Sequence, residues 1–286
     1  MPAPPWTVVV AGTLSLDDLT TPSGRVQEEP GGSAAYSALA VAPLAPVRVV
    51  AAVGRDGAAA RAVLDQPGIN GEDVVVRPGA TYRWRATHDP DTGAVDAGQQ
   101  RFGVYRGWHP QLTAASRSAP ICLVGSMLPA CQQAVLAQCA GARLIVADTM
   151  EDFIETEPEA VRRCLAGADV VCLNLRELRR LGDADTDEVA RSVLGVGRTQ
   201  AVVVKCGPAG VRLVTAAGTL LLPAAPVPAV RDPTGAGDAL AGGFCGELAR
   251  RRSTDPAAHP AALRVGLAAA ARAVSDFGLT GLLRPR

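Results

Sequence analysis

The stretch Asp232-Pro-Thr-Gly-Ala-Gly-Asp238, followed at once by Ala-Leu-Ala-Gly-Gly-Phe244, decides how the rest of the chain is interpreted. Apolar residues recur after it at helical spacing, which predicts a buried helix that begins near Gly235. Two glycines permit a tight turn, so the amides of Gly235, Ala236 and Gly237 can point at one spot. Free amides at a helix N-terminus bind anions, and the stretch therefore predicts an anion site.

Asp238 is unexpected beside such a site, because a carboxylate repels the anion that the amides attract. The arrangement has a chemical purpose if Asp238 takes a proton from a hydroxyl group that then attacks a bound phosphoryl group. The alternative is a glycine-rich turn that opens an ordinary buried helix, with Asp238 as a first-turn acid. The stretch alone leaves both interpretations open.

Composition narrows the class of protein. The 286 residues fit one large α/β domain, and we expect residues 1–286 to form a single domain. The formal net charge is zero, so no overall field favours nucleic acid or an acidic membrane, and no apolar run is long enough to span a bilayer. The seven cysteines form no Cys-x-x-Cys pair, and the opening Met1–Trp6 is too short and proline-rich for a secretion signal. We therefore expect a cytoplasmic protein with reduced thiols.

Short apolar, β-branched runs alternate with helix-like stretches along most of the chain. This alternation predicts βαβ units and an α/β fold with a doubly wound, mostly parallel sheet flanked by helices. The predicted strands are Val8–Ala11, Val47–Val53, Ile121–Val124, Leu144–Ala147, Val170–Leu173 and Ala201–Val204, with an edge hairpin of Val211–Thr215 and Thr219–Leu222. The predicted helices include Ser33–Val41, Ala58–Leu64, Ala130–Cys139, Pro158–Leu165, Asp187–Leu194 and, as the last, Ala261–Val274.

Residues 72–110 interrupt the alternation with polar and aromatic extended stretches, at 81–87 and 99–105, around a turn at Asp89–Gly93. Together with residues 14–30 they predict a small antiparallel β lid over the open edge of the main sheet. A disordered excursion is the alternative. The aromatic residues of this region are interpreted as packing for the small sheet, with nucleobase stacking as the alternative: Tyr82, Trp84, Phe102, Tyr105 and Trp108.

These motifs resemble those of the ribokinase-like (PfkB) carbohydrate and nucleoside kinases over nearly the whole chain. Besides the signature at 232–244, Gly31-Gly-Ser-Ala-Ala-Tyr36 is similar to the family's sugar-side motif, and Asn174-Leu-Arg-Glu177 to its Asn-x-x-Glu motif. The segment Val202–Gly210 is similar to the strand and glycine turn that line the nucleotide. The resemblance implies a ribokinase-like fold and a kinase that transfers the γ-phosphate of ATP to a hydroxyl of a small sugar, polyol or nucleoside.

The resemblance implies acceptor contacts near the start of the chain. Asp17 matches the family's first acidic residue and is expected to accept hydrogen bonds from acceptor hydroxyls, with a solvated loop acid as the alternative. A Gly-Gly pair would let the acceptor approach the backbone. Tyr36 stands where many members have asparagine. Asp148, in a trio with Thr149 and Met150, either contacts the acceptor or a metal-bound water, or caps the next turn. The candidate acceptor-binding residues are Asp17, Gly31, Gly32, Ser33, Tyr36 and Asp148.

On the nucleotide side, Asn174 and Glu177 share one helix face and are candidates to hold Mg²⁺ through water, with helix capping as the alternative. Lys205 replaces the threonine of many members and either reaches a phosphate or lies in solvent. Asp232 is a candidate ligand of a monovalent cation such as K⁺. The candidate ATP-binding residues are Asn174, Glu177, Lys205, Gly207, Gly210 and Thr234.

The implied mechanism makes Asp238 the general base and the amides of Gly235, Ala236 and Gly237 the stabilisers of the transferring phosphoryl group. The expected partners are ATP and a small-molecule acceptor, and pairing of two lids makes a homodimer a candidate assembly. A catalytically inactive nucleotide- or sugar-binding protein of the same fold is the alternative. An NAD-dependent oxidoreductase is disfavoured, because Ala11-Gly-Thr-Leu-Ser-Leu16 lacks Gly-x-Gly-x-x-Gly.

Overall fold

The computed structural model describes residues 6–88, 95–97 and 100–284. The predicted turn Asp89–Gly93 and the start of the predicted stretch 99–105 lie outside the described residues. The strands are β1 Val8–Ala11, β2 Ser15–Thr21, β3 Gly24–Gly31, β4 Val47–Val53, β5 Ile69–Val76, β6 Tyr82–His88, β7 Val95–Ala97, β8 Ile121–Val124, β9 Leu144–Asp148, β10 Val170–Asn174, β11 Ala201–Lys205, β12 Val211–Thr215 and β13 Gly218–Leu222. The helices are α1 Ser33–Val41, α2 Ala58–Arg61, α3 Ala114–Arg117, α4 Pro129–Gln138, α5 Glu151–Thr156, α6 Pro158–Ala166, α7 Leu175–Leu181, α8 Thr186–Val193, α9 Ala236–Arg251, α10 His259–Ala273 and α11 Thr280–Leu283.

The large sheet has the strand order β13-β12-β11-β10-β9-β8-β1-β4-β5. The strands from β11 through β5 in this order run parallel, and β12 and β13 add the antiparallel hairpin predicted at the edge. Val8 and Val10 pack with α1, α9 and α10 on one face, while Val9 packs with α4 to α8 on the other. Burial on both faces explains why these strands are continuous apolar runs. The α/β prediction with helices on both faces is confirmed.

The carboxyl ends of the parallel strands meet at one edge of the large sheet. Ala11 at the end of β1 pairs with Val124 at the end of β8, and Asn174 at the end of β10 pairs with Lys205 at the end of β11. In open α/β sheets, ligands bind outside this edge. The segments that follow β1, β8, β9, β10 and β11 are therefore brought together, although they are distant in sequence.

The second sheet has the order β3-β2-β6-β7 and is called the lid here. It is built from the predicted segment 14–30 plus β6 and β7, and two of its pairings are antiparallel, while the pairing of β2 with β6 is parallel. Thr21 at the end of β2 donates a hydrogen bond to the carbonyl of Arg231 (2.9 Å). The lid therefore contacts the segment that carries the signature motif.

The predicted second lid segment, 72–110, is too long. Residues 69–76 form β5, an edge strand of the large sheet, and residues 103–105 form a 3₁₀ turn instead of the predicted strand. The reason is burial: the hydroxyl of Tyr105 accepts hydrogen bonds from the amides of Leu14 and Ala52 and donates to Gly12. Tyr82 stacks on Phe102 with ring centroids 5.6 Å apart. The packing interpretation of these aromatic residues is therefore confirmed for Tyr82, Phe102 and Tyr105.

Smaller differences concern helices. The predicted helix 58–64 ends at Arg61 and continues as a 3₁₀ turn, and α11 follows the helix that was expected to be the last. Helix α5 was not predicted, since its six residues are too few for a helical period to be read. Within the residues described, no helix combines the length and apolar character needed to cross a membrane.

Candidate active site

The N-terminus of α9 forms a cradle of backbone amides. Gly235 is its N-cap and adopts a left-handed conformation, φ 72°. A Cβ on Gly235 would lie 2.3 Å from Cγ of Tyr36, so no larger residue fits. The Ala236 amide makes only a long hydrogen bond to Pro233 (3.4 Å), and those of Gly235 and Gly237 donate to no other described residue. These amides are available to an anion, as the motif predicts.

Asp238 is the third residue of α9 and remains partly exposed beside this cradle. Loss of hydration raises the pKa of Asp238 to about 7; the nearby carboxylate of Asp148 adds to the rise and the ammonium of Lys205 opposes it. A carboxyl group that titrates near neutral pH is suited to proton transfer. Its position and its pKa both match a general base.

Asp17 lies on β2 of the lid and is 2% exposed. Its Oδ1 has no hydrogen-bond partner among the described residues, and its Oδ2 lies so close to Gly31 that a Cβ there would be 2.2 Å away. Burial raises the pKa of Asp17 to about 8, the Ser15 hydroxyl opposes this, and Asp232 adds to it. A buried carboxyl oxygen without a partner is costly and indicates a ligand-binding position.

Tyr36 on α1 is 1% exposed, and its hydroxyl also lacks a partner among the described residues. Burial is the main reason that the pKa of Tyr36 is raised well above its ordinary value. The negative charges of Asp232, Asp17 and Asp238 raise it further. The phenol therefore stays protonated and is a hydrogen-bond donor. It lies within electrostatic reach of both the acceptor-side carboxyl group of Asp17 and the proposed base.

Ser33 has a structural role in this conformation, which corrects its assignment as an acceptor ligand. Its hydroxyl donates to the carbonyl of Ser126 (2.8 Å) and accepts from the amide of Thr13 (2.9 Å). Gly32 before it has φ 98°, and a Cβ would lie 2.3 Å from the Thr13 carbonyl oxygen. The Gly-Ser pair therefore ties the start of α1 to the loops after β1 and β8.

Asp148 and Lys205 form an ion pair, which the sequence analysis did not predict for either residue. Lys205 Nζ donates to Asp148 Oδ2 (2.6 Å), and Asp148 Oδ1 accepts from the amide of Thr149 (2.8 Å). The Lys205 side chain is only 15% exposed, so the alternative of a lysine in solvent is wrong. Each carboxylate oxygen of Asp148 therefore already accepts one hydrogen bond from the protein, and a contact with the acceptor stays a prediction.

Asn174 and Glu177 form a capping box at the start of α7. Asn174 Oδ1 accepts from the amide of Glu177 (2.9 Å), and Glu177 Oε2 accepts from the amide of Asn174 (2.7 Å). The capping alternative is therefore confirmed. No group of three or more His, Cys, Asp or Glu residues that could hold a metal is found in the described ranges. Asn174 Nδ2 also donates to Glu177 Oε1 (2.6 Å), so this pair offers no ready-made cluster for direct coordination, and binding of Mg²⁺ through water stays a prediction.

Asp232 and Thr234 are held by the lid and by the C-terminal segment. The Asp232 carboxylate accepts from the amides of Thr234 and Gly278, each at 3.0 Å. Thr234 Oγ1 lies 3.0 Å from Nε2 of His88, the last residue of β6. Burial lowers the pKa of His88, so the imidazole is neutral at pH 7. No sequence motif indicated His88, since the contact joins residues 146 positions apart.

The two glycines after β11 differ in their surroundings. Gly207 begins a short 3₁₀ turn and is exposed, with nothing near the position of a Cβ. Gly210 is buried against Leu222 and Ala224 in the edge hairpin. Of the two, Gly207 alone is open to a nucleotide, and Gly210 has a structural role in the hairpin.

The sheet order, the lid and the amide cradle beside a carboxyl group define a phosphotransferase of the ribokinase-like class. The family model described as pfkB family carbohydrate kinase matches residues 9–284, and the chain belongs to this family. It is accordingly an ATP-dependent kinase whose acceptor group is an alcohol.

Several relatives are similar along nearly their whole length. The cytidine kinase of Thermococcus kodakarensis is 29% identical over 283 residues, which cover 95% of this chain and 97% of the relative. The nucleoside kinase of Burkholderia thailandensis in complex with inosine has the same fold, with a TM-score of 0.77, 22% identity and coverage of 95% and 92%. Aminoimidazole riboside kinase of Salmonella enterica, complexed with aminoimidazole riboside and an ATP analog, has a TM-score of 0.76 and 22% identity. The match covers 98% of this chain and 97% of that structure.

Proposed function

We propose that the acceptor of this kinase is a nucleoside or a closely related ribose-bearing molecule. The observation that carries the proposal is the pair of buried polar groups without partners, the Asp17 carboxyl group and the Tyr36 hydroxyl. Each unpaired buried group costs about 1–3 kcal/mol, and neighbouring hydroxyls of a ribose would satisfy both. The relatives named as cytidine kinase and nucleoside kinase support this acceptor class.

In the proposed reaction the acceptor hydroxyl lies between Asp17 and Asp238. Asp238 accepts its proton, the acceptor oxygen attacks the terminal phosphorus of ATP, and ADP leaves. The amides of Gly235 and Gly237 stabilise negative charge on the phosphoryl group as it is transferred. Mg²⁺ would supply further neutralisation of phosphate charge, held through water by Asn174 and Glu177.

The test is an ADP-formation assay with purified protein, ATP and Mg²⁺ over a panel of nucleosides, ribose, hexoses and inositols. We expect turnover with one or more nucleosides. A matched pair, cytidine against 2′-deoxycytidine, tests the ribose contacts, because a site built around a hydroxyl rejects the analogue without it by about 100-fold or more. Turnover with hexoses or inositols alone would overturn the nucleoside assignment.

The family membership disfavours the alternative of a catalytically inactive binding protein, and the same panel checks it directly. A nucleoside that raises the thermal midpoint but forms no ADP with ATP would favour that candidate. The retained Asp238 beside free amides supports the enzyme.

Three further statements from the sequence analysis remain predictions: a cytoplasmic location, a homodimer through the lid, and K⁺ at Asp232. The carboxylate of Asp232 is already balanced by two amides, so K⁺ is not needed to satisfy it. Light scattering tests the dimer. Assays in K⁺ against tetramethylammonium salts test the cation.

A further inference from the structure

Lys205 is the only lysine of the chain and lies at the end of β11, at the ligand-binding edge of the sheet. Its ammonium group lies against the amide cradle, since a Cβ on Gly237 would be 3.1 Å from Lys205 Nζ. Gly237 carries one of the amides that donate to no other described residue. A fixed positive charge therefore adjoins the predicted binding position of the transferring phosphoryl group.

The ammonium group is held on one side and retains hydrogen-bonding capacity. It donates to Asp148 Oδ2 at 2.6 Å, whereas Glu177 Oε2 lies 4.0 Å away, beyond hydrogen-bond distance. An ammonium group has three donors. No other hydrogen bond of Nζ is formed to the described residues, so donors remain for a phosphate oxygen.

Asp148 is an anchor rather than a mobile surface acid. Its Oδ1 accepts from the amide of Thr149 at 2.8 Å, and its carbonyl accepts from Gln132 Nε2 at 2.8 Å. The residue is buried, 4% exposed. Burial lowers the pKa of Lys205, but Asp148 and Glu177 more than offset this, so the pKa is raised and the group stays charged.

We propose that Lys205 contacts the phosphoryl group as it is transferred and that Asp148 is its positioning residue. This rests on the proposed transfer at Asp238. In that step the acceptor O–H bond breaks and its proton passes to Asp238. A bond forms between the acceptor oxygen and phosphorus, and the bond from phosphorus to the bridging oxygen breaks as ADP leaves with the electron pair. Lys205 transfers no proton and supplies a fixed charge to the phosphoryl oxygens.

The test uses the full chain with Lys205→Met, Lys205→Arg, Asp148→Asn and the double variant Lys205→Met/Asp148→Asn. We expect Lys205→Met to lower kcat by about 10²–10³-fold, the scale for losing one donor to transition-state charge, with the acceptor KM nearly unchanged. Asp148→Asn should lower kcat about 10-fold, and Lys205→Arg should restore part of the loss. The double variant should be no slower than Lys205→Met, because Asp148 acts through the lysine.

Calorimetry separates this proposal from the proposed function, because it needs no acceptor. Lys205→Met should weaken binding of a non-hydrolysable ATP analogue about 10-fold or more, with ADP binding changed much less. This readout stands even if no acceptor supports turnover, an outcome that would overturn the proposed function alone. If Lys205→Met lost the ability to fold, the double variant, which removes both members of the Lys205–Asp148 ion pair, would carry the same measurements.

Arg198→Met is the matched control. Arg198 pairs with Asp169 at 2.8 Å beside the amino ends of β10 and β11, the opposite edge of the same strands. It should lower the thermal midpoint and leave kcat unchanged. The proposal is overturned if the double variant keeps wild-type kcat and the wild-type preference for the ATP analogue over ADP, or if it merely lowers stability as Arg198→Met does.

Discussion

The ring of Tyr36 lies directly against the backbone of Gly235, so that a Cβ on Gly235 would be 2.3 Å from the ring atoms Cγ and Cδ1. Gly235 begins the helix whose amides form the anion cradle, and Tyr36 is a predicted acceptor-binding residue. The two halves of the candidate site are therefore in van der Waals contact. A change on either side is transmitted to the other through packing.

Gly235→Ala should lower kcat by at least about 10-fold and lower the thermal midpoint. Alanine in a left-handed conformation costs about 1–2 kcal/mol, and its methyl group would push Tyr36 away from the turn. Enzyme assay and thermal unfolding measure both effects. Gly141→Ala is the control, since nothing lies within 4 Å of the position of its Cβ. An active Gly235→Ala variant with an unchanged midpoint would contradict the turn geometry.

Asp238→Asn should lower kcat by about 10²–10⁴-fold and leave the affinity for ATP nearly intact, since the base is lost and the amides remain. Burial raises the pKa of Asp238 to about 7. Because the base must be deprotonated, wild-type kcat/KM should rise with pH up to about 7 and then level off. Glu247→Gln, at the other end of α9, should keep that profile. Full activity of Asp238→Asn would remove Asp238 from the mechanism.

Tyr36→Phe should raise the acceptor KM about 10-fold and leave the KM for ATP unchanged, because it removes one hydroxyl and keeps the ring that packs on Gly235. The thermal midpoint should stay the same or rise, since the hydroxyl is buried without a partner among the described residues. Steady-state kinetics and thermal unfolding of the free protein test both statements. A marked loss of stability would mean that the hydroxyl has a structural partner.

Asp17→Asn should make the free protein more stable at pH 8 than the wild type. Burial raises the pKa of Asp17 to about 8, against about 3.9 in an unfolded chain, so the folded state holds an extra proton between these values. The contribution of this protonated carboxyl group to the free energy of unfolding is complete below about pH 4, and it is lost as the pH rises through about 8.

Chemical denaturation from pH 4 to pH 8 measures the effect, and the difference between variant and wild type should grow with pH. Asp18→Asn is the control, because Asp18 is only partly buried and pairs with Arg85. A difference independent of pH would contradict the raised pKa. Acceptor binding should weaken in Asp17→Asn and remain in Asp18→Asn.

The local sequence predicted the bounds of helices and strands well where buried apolar residues recur regularly along a single element. Helix α1 begins at Ser33 and ends at Val41 as predicted, and β1, β4 and β8 also match their predicted bounds. Residues 72–76 of β5 were predicted to belong to the lid. Strand β5 contains Asn70, Glu72 and Asp73, which do not resemble a buried parallel strand. It lies at the edge of the sheet, where such residues are tolerated.

The sequence by itself determined the α/β class, the amide cradle before α9 and the carboxyl group beside it, because these depend on apolar periodicity and on glycine spacing within one segment. Only the tertiary structure decided the partners of Lys205, Asp148 and His88. Lys205 and Asp148 are 57 positions apart, and each pairing exists because parallel strands or the lid bring distant ends to one edge of the sheet. The residues around Lys205 in the sequence do not indicate its partner, since the carboxylate that binds its ammonium group lies on another strand.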